Sequence, residues 1–171
     1  MRFREIVTVV KAYSSAVGAG EFVSEIFGDE ADCAAAVTAA TAANTAPRPA
    51  AREEMGWLDL VAARYGCAAQ GATDVAFTVL DALGYLDEIP VCVAYELDGK
   101  RIDYFPTTTE LKRCKPVLEV LPGWKCDIGG IRKYEDLPEN ARKYVEFAEK
   151  HIGVPITMVS NGPAREDIIY R

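Results

Sequence analysis

A chain of 171 residues that is half hydrophobic is long enough for one domain with a real core, and one domain is the default. Nineteen basic against 26 acidic residues leave a net charge of -7 with no Lys/Arg cluster, which argues against a nucleic-acid partner. The five cysteines are widely spaced with no CxxC pair, no apolar run reaches the roughly 18 residues of a membrane span, and "MRFREIVTVV" lacks a signal-peptide core, so the expectation is a cytoplasmic protein with reduced thiols and no membrane or zinc site.

In chain order, "EIVTVVKAYSS" is rich in β-branched residues and apolar on both faces, as in a buried strand of a mainly parallel sheet. "VGAGEF" turns the chain. An alanine- and threonine-rich tract, residues 33–54, then carries neither a helical nor a strand period. "GWLDLVAARYG" predicts a short helix with Leu58, Val61 and Ala62 on one face and Gly66 as its stop. "DVAFTVLDAL" reads as a strand. "IPVCVAYELDGKRIDYF" reads as a hairpin with Asp98-Gly99 at the turn. Thr107 and Glu110 have the spacing of a capping box before a short helix. "LPENARKYVEFAEKHIG" is the clearest helix, with Ala141, Tyr144, Val145, Ala148 and Ile152 on one face and Gly153 after its end. "VPITMVSNGPAREDIIYR" closes the chain as strand, Ser-Asn-Gly-Pro turn and strand. The alternation predicts an α/β fold with a mixed, largely parallel sheet and flanking helices.

Visible chemistry is sparse. One histidine, His151, sits at the end of an amphipathic helix, where a group near a helix C-terminus is the simpler reading than catalysis. There is no Walker P-loop and no GxGxxG after a strand. Asp81 lies among apolar residues at a strand end, where it either faces a ligand or caps a turn. The turn Ser160-Asn161-Gly162-Pro163 either bonds a planar base edge or simply reverses the chain. Trp57 reads as core.

Outside the tract the chain closely resembles the C-terminal portion of adenylosuccinate synthetases. The resemblance is carried by "VVKAYSSAVGAGEFVSEIF", "GWLDLVAARYG", "LDEIPVCVAYELDGK", "DYFPTTTELKRCKPVLEVLPGWK", "IRKYEDLPENARKYVEFAEKHIGVPI" and "SNGPAREDIIYR". It implies a partial fold of that family, related to P-loop NTPases, over residues 1–171, interrupted at 33–54 and incomplete at the edge a missing half would cover. It also implies GTP-dependent ligation of IMP and aspartate in AMP biosynthesis, with magnesium, through phosphorylation of IMP and displacement of the phosphate by the aspartate amine. The family's phosphate loop GDEGKGK, its catalytic Asp and His and its metal ligands are not in these 171 residues, so the chain alone is expected to be inactive and to contribute no catalytic or metal-binding residue. By position, the family's guanine-reading Lys-Leu-Asp falls on Val79, Leu80 and Asp81, with valine replacing the lysine. Its Ser-Thr-Gly falls on Ser160, Asn161 and Gly162. Val17 and Gly18 match a stretch bordering the IMP pocket, with Ala16 replacing an arginine. The partners implied are IMP, aspartate, GTP, and an N-terminal half or a second copy; the alternative is a non-catalytic nucleotide-binding or subunit-interaction module.

In the family, the place of the tract holds an aspartate-binding loop ending Tyr-Gly-Ala-Thr-Thr-Gly-Arg-Pro-Arg-Arg, whose arginines clamp carboxylate and phosphate. Here Asn44 to Glu54 read "NTAPRPAAREE". Written as codons and read from the third base of each, those residues permit Tyr-Gly-Ala-Thr-Thr-Gly-Arg-Pro-Arg-Arg in order, without exception. The tract therefore reads as that loop translated one base out of frame, with a base lost near Asp32 and one gained near Glu53 or Glu54. The competing readings are a genuine low-complexity insertion and a helical linker.

Overall fold

In a computed structural model that describes residues 4–16, 20–27 and 54–171, three β-branched runs supply the parallel strands of the main sheet. Strands β1 (Val7–Lys11), β5 (Asp74–Thr78) and β9 (Ile156–Ser160) pair in parallel, and β10 (Ile168–Tyr170) adds antiparallel to β9, in the order β1-β5-β9-β10. A small ribbon pairs β2 (Ser14–Ala16) with β3 (Glu54–Gly56). A second four-stranded sheet is built on β6 (Glu88–Leu97). Its one edge carries β8 (Cys114–Pro122), and its other is shared by β4 (Leu58–Asp59), parallel, and β7 (Lys100–Ile102), antiparallel.

Helix α1 (Leu60–Gln70) and helix α3 (Glu139–Ile152) pack on each other, and α2 (Thr108–Leu111) is a single short turn. The five apolar positions expected of α3, Ala141, Tyr144, Val145, Ala148 and Ile152, are its buried residues, and Gly153 ends it in the left-handed region at φ 77°. They meet the sheet face formed by Val75, Phe77, Val159 and Ile169 in one core, where the Phe77 and Tyr144 rings lie 6.1 Å apart. Tyr144 is buried with its hydroxyl donating to the Ala12 carbonyl at 2.7 Å, which ties the helix to the end of β1. Asp98 and Gly99 both take positive φ, the geometry of the predicted hairpin turn. At α2, the Glu110 carboxylate accepts from both the backbone N–H and the hydroxyl of Thr107, the reach-back half of the capping box.

Several expectations need correction. Leu58 is in strand β4, not on the helix, and Gly66 is inside α1; Asp59 caps the helix start by accepting from the Ala62 N–H, and Gly71, left-handed at φ 66°, is the stop. The helix runs on past Gly66 because Cys67-Ala-Ala-Gln favours it and nothing there demands a left-handed residue. "DVAFTVLDAL" is a strand only to Thr78; Leu80–Leu83 form a 3-10 turn. Strand β1 is not buried on both faces: among the described residues it is an edge strand, with Val7 and Val9 exposed. Residues 33–53 of the alanine tract, and Val17 and Gly18, lie outside the described residues.

Removing the buried Tyr144 hydroxyl leaves the Ala12 carbonyl without that donor while keeping the ring in place. Tyr144→Phe is expected to lower stability by about 1–2 kcal/mol, read as a lower denaturation midpoint at unchanged slope.

Candidate functional site

Parallel pairing makes the C-terminal ends of β5 and β9 emerge side by side, the position at which open α/β sheets hold ligands. The chain leaves β5 through Val79, which is left-handed at φ 61° and ψ 35°. For a β-branched residue this conformation costs roughly 1–2 kcal/mol, and here it turns the strand sharply into the 3-10 turn carrying Asp81. The turn packs on β9, so Asp81 and the Ser160–Gly162 segment, distant in sequence, share one corner.

Not every residue of that corner can touch a ligand. Leu80 is fully buried in the core and Val79 packs partly against it, so their side chains shape the turn. Asn161 is also fully buried: its amide donates to the Ile128 carbonyl at 2.6 Å and the Ile131 carbonyl at 2.9 Å, which moors the site to the loop after β8. Ser160 donates its hydroxyl to the Gly162 carbonyl at 2.9 Å. Gly162 is there for space, since a Cβ would sit 2.5 Å from Asp167 Oδ2.

Nothing in the sequence singles out Asp167, yet it organises the loop. One carboxylate oxygen accepts from the Ala164 N–H at 2.7 Å, the other pairs with Arg132 at 2.8 Å, and its backbone carbonyl accepts from the Asn161 N–H. The only sequence trace of this role is an acidic residue a few positions after the Ser-Asn-Gly-Pro turn, indistinguishable from a surface charge. The same corner leaves polar atoms unpaired: among the described residues Asp81 Oδ1, Asn161 Oδ1 and Trp124 Nε1 are buried without a hydrogen-bond partner. Burial raises the pKa of Asp81, and the negative charges of Asp167 and Asp127 push the same way. The backbone N–H groups of Asp81 and Ala82 pull the other way, yet Oδ1 itself meets no donor among the described residues, which is costly for a buried acceptor.

Beside the strand ends a groove of about 400 Å³ is lined by Thr78, Met158, Ser160, Gly162, Pro163 and Arg165, among others. It does not include Asp81; the orphaned oxygen marks the chemically demanding spot better than the hollow does. A second groove, of about 410 Å³, runs along β1 and the start of α1 past Lys11, Ser14, Ser15 and Asp59. There Lys11 donates to the Ser15 hydroxyl at 2.6 Å, while Asp59 accepts from the Tyr95 hydroxyl at 2.5 Å. Burial raises the pKa of Asp59 and, with Asp59 beside it, pushes the Cys92 thiol up to about 12, so that thiol is inert at neutral pH. Among the described residues no group of three or more His, Cys, Asp or Glu is disposed to hold a metal ion, and no helix is long and apolar enough to cross a membrane. His151 contacts the Phe147 carbonyl through Nδ1 at 2.9 Å, away from the strand ends, and Trp57 is buried.

The family model for adenylosuccinate synthetase matches residues 1–169. Among solved structures, the fully ligated adenylosuccinate synthetase from Plasmodium falciparum is similar over 98% of this chain, with a TM-score of 0.87 and 31% sequence identity. The match covers 40% of that protein, so this chain spans about two fifths of its relative's length.

Because burial raises the Asp81 pKa above its unfolded value, the unfolded chain releases this proton first. The stability this group contributes is complete below the ordinary carboxylate value of 3.8 and is lost as pH rises through its own raised value. Asp81→Asn stays neutral throughout, so without nucleotide its melting temperature is expected to gain on the parent's as pH goes from about 4 to about 7. A constant difference between the two would contradict this placement.

Proposed function

The chain belongs to the adenylosuccinate synthetase family, and from that premise we propose that it supplies the guanine-binding corner of a GTP-dependent ligase joining IMP to aspartate, and that these 171 residues alone are catalytically inactive. The observation that carries this reading is the buried, unpartnered Asp81 Oδ1 at the ends of β5 and β9. The Watson–Crick edge of guanine offers two N–H donors side by side, whereas adenine offers an acceptor at the corresponding ring nitrogen. An ionised carboxylate therefore accepts from guanine and repels adenine. Partial burial raises the pKa of Asp81, and donors from the base would favour its ionised form again.

Each neighbour then has a positioning task. Val79 sets the turn, Asn161 and Asp167 hold the Ser160–Gly162 backbone beside the base, and Gly162 lets the chain pass close to Asp167. Val79 stands where the family has lysine, so the base lacks a long side chain laid against it. Val17 and Gly18 are assigned to the border of the IMP pocket by the resemblance alone. Magnesium would neutralise phosphate charge in such a ligase, but the described residues offer no set of ligands for it, so no step here passes through the metal. The phosphate cradle GDEGKGK is likewise not in this sequence, and a purine-biosynthetic, cytoplasmic role is proposed only for the assembly that contains one.

The aspartate clamp is a separate loss. We read residues 33–54 as the family's arginine loop displaced by one base. In the DNA of the locus, codons 28 to 58 are expected to show a deletion near Asp32 and an insertion near Glu53 or Glu54 relative to close homologues. A tract that aligns only as inserted sequence would reject that reading.

Calorimetry with the purified chain tests the function. GTP is expected to bind more tightly than ATP by about tenfold or more, Asp81→Asn is expected to abolish the preference, and no IMP-, aspartate- and GTP-dependent phosphate release should occur. Equal binding of the two nucleotides, or release of phosphate, would overturn the corresponding part. Guanine preference without any turnover in a completed assembly would favour the non-catalytic nucleotide-binding module.

A further inference from the structure

The charge state of Asp81 answers to two segments beyond its own turn, the loop after β8 and the turn after β9. A single guanidinium laces these two together. Arg132 Nη1 donates to the Gly129 carbonyl at 2.6 Å and the Ile131 carbonyl at 3.0 Å, while its Nη2 pairs with Asp167 Oδ1 at 2.8 Å. From the other side, the buried Asn161 amide donates to the carbonyls of Ile128 and Ile131. Residues 128–132 are thus gripped between two side chains, and the Ile131 carbonyl accepts from each.

The same stretch begins with an opposing charge. Asp127 Oδ1 accepts from the Gly129 N–H at 2.8 Å, which fixes its carboxylate at the start of the loop. Burial is the largest influence on the Asp81 carboxyl, and the negative charges of Asp167 and Asp127 raise its pKa further. The Asp167 side chain is only 10% exposed, so water screens its charge poorly, and Arg132 in contact with it offsets that charge. Two other cations near this corner are placed elsewhere: Lys125 is drawn to Asp87 at 2.6 Å, and exposed Arg165 lines the groove beside the strand ends.

We propose that Arg132 is a positioning residue for base recognition: paired with Asp167 it offsets a carboxylate that faces Asp81, Asp127 works against it, and their balance sets the pH range over which Asp81 accepts a base edge. Arg132 touches no base on this account. It acts through Asp167 and through the loop it clasps. The inference rests on the guanine-binding reading of the corner and adds to it the charges that regulate the acceptor.

The Asp81 side-chain carboxyl is titrated by carbon NMR in the 171-residue chain without nucleotide, its resonance assigned by its loss in Asp81→Asn. Asp127→Asn keeps an oxygen for the Gly129 N–H and removes one negative charge, so the midpoint is expected at lower pH. Arg132→Gln keeps N–H donors for the loop carbonyls but leaves Asp167 uncompensated, so the midpoint is expected at higher pH. Arg132→Lys restores the cation and returns it towards the parent. Guanosine calorimetry between about pH 4 and about pH 7 reads the consequence, because affinity rises as Asp81 ionises. Below the parent midpoint, Arg132→Gln is expected to bind about threefold or more weaker and Asp127→Asn about threefold or more tighter. Loosening of the loop alone moves both variants the same way, so unmoved midpoints, or shifts of one sign in both, overturn the proposal. Should Arg132→Gln not fold, Asp167→Asn removes the charge that Arg132 offsets. Its midpoint then moves to lower pH, or the proposal falls. Failure of guanosine to bind at any pH overturns the guanine reading and not the electrostatic one, which the nucleotide-free titration decides alone.

Discussion

Everything at the candidate site depends on β5 and β9 lying side by side in parallel. Among the described residues that pairing is fixed from one side, by Tyr144, Val145, Ala148 and Ile152 of α3 packed onto Val75, Phe77, Val159 and Ile169. Because parallel neighbours end at the same edge, the carboxylate after β5 and the turn after β9 are delivered to one corner without any direct bond between them. The helix connection that makes the strands parallel is thus also what makes the site.

The corner itself is held by backbone contacts more than by side chains that meet a ligand. Asn161 spends both amide hydrogens on the carbonyls of Ile128 and Ile131, and Asp167 spends both carboxylate oxygens on Ala164 and Arg132. Those satisfied groups make the unsatisfied ones informative. Burying Asp81 Oδ1 without a donor among the described residues works against folding, and the contrast with the fully bonded Asp167 beside it is what makes this oxygen the candidate acceptor of the corner. The strained turn at Val79 belongs to the same pattern, since a local backbone cost is tolerated where it aims a functional group.

Elements whose pattern is self-contained were legible in the sequence. The 3.6-residue period of α3, the Asp98-Gly99 turn and the Thr107–Glu110 spacing each reflect physics within a few residues, and each is found in place. Elements set by distant partners were not. Strand β8 pairs along the whole length of β6, but its sequence "CKPVLEVLP" holds two prolines and reads weakly as a strand. Gly66 and Gly71 look equally able to stop a helix until the tertiary fold selects one. Asp81 could be marked as a strand-end carboxylate, whereas Asp167 could not, because its importance lies entirely in what the chain brings to it.

At the edge strand β1, sequence and structure differ most instructively. A strand apolar on both faces, "IVTVV", is written for burial on both sides, yet Val7 and Val9 face solvent. The pattern describes the environment for which the strand is suited, which these residues do not supply by themselves. The orphaned Asp81 Oδ1 makes the same statement in polar terms: among the described residues the oxygen lacks a donor and the strand lacks an apolar layer. Both deficits lie on the strands of one sheet, the polar one at their C-terminal ends and the apolar one across the face that the described residues leave open.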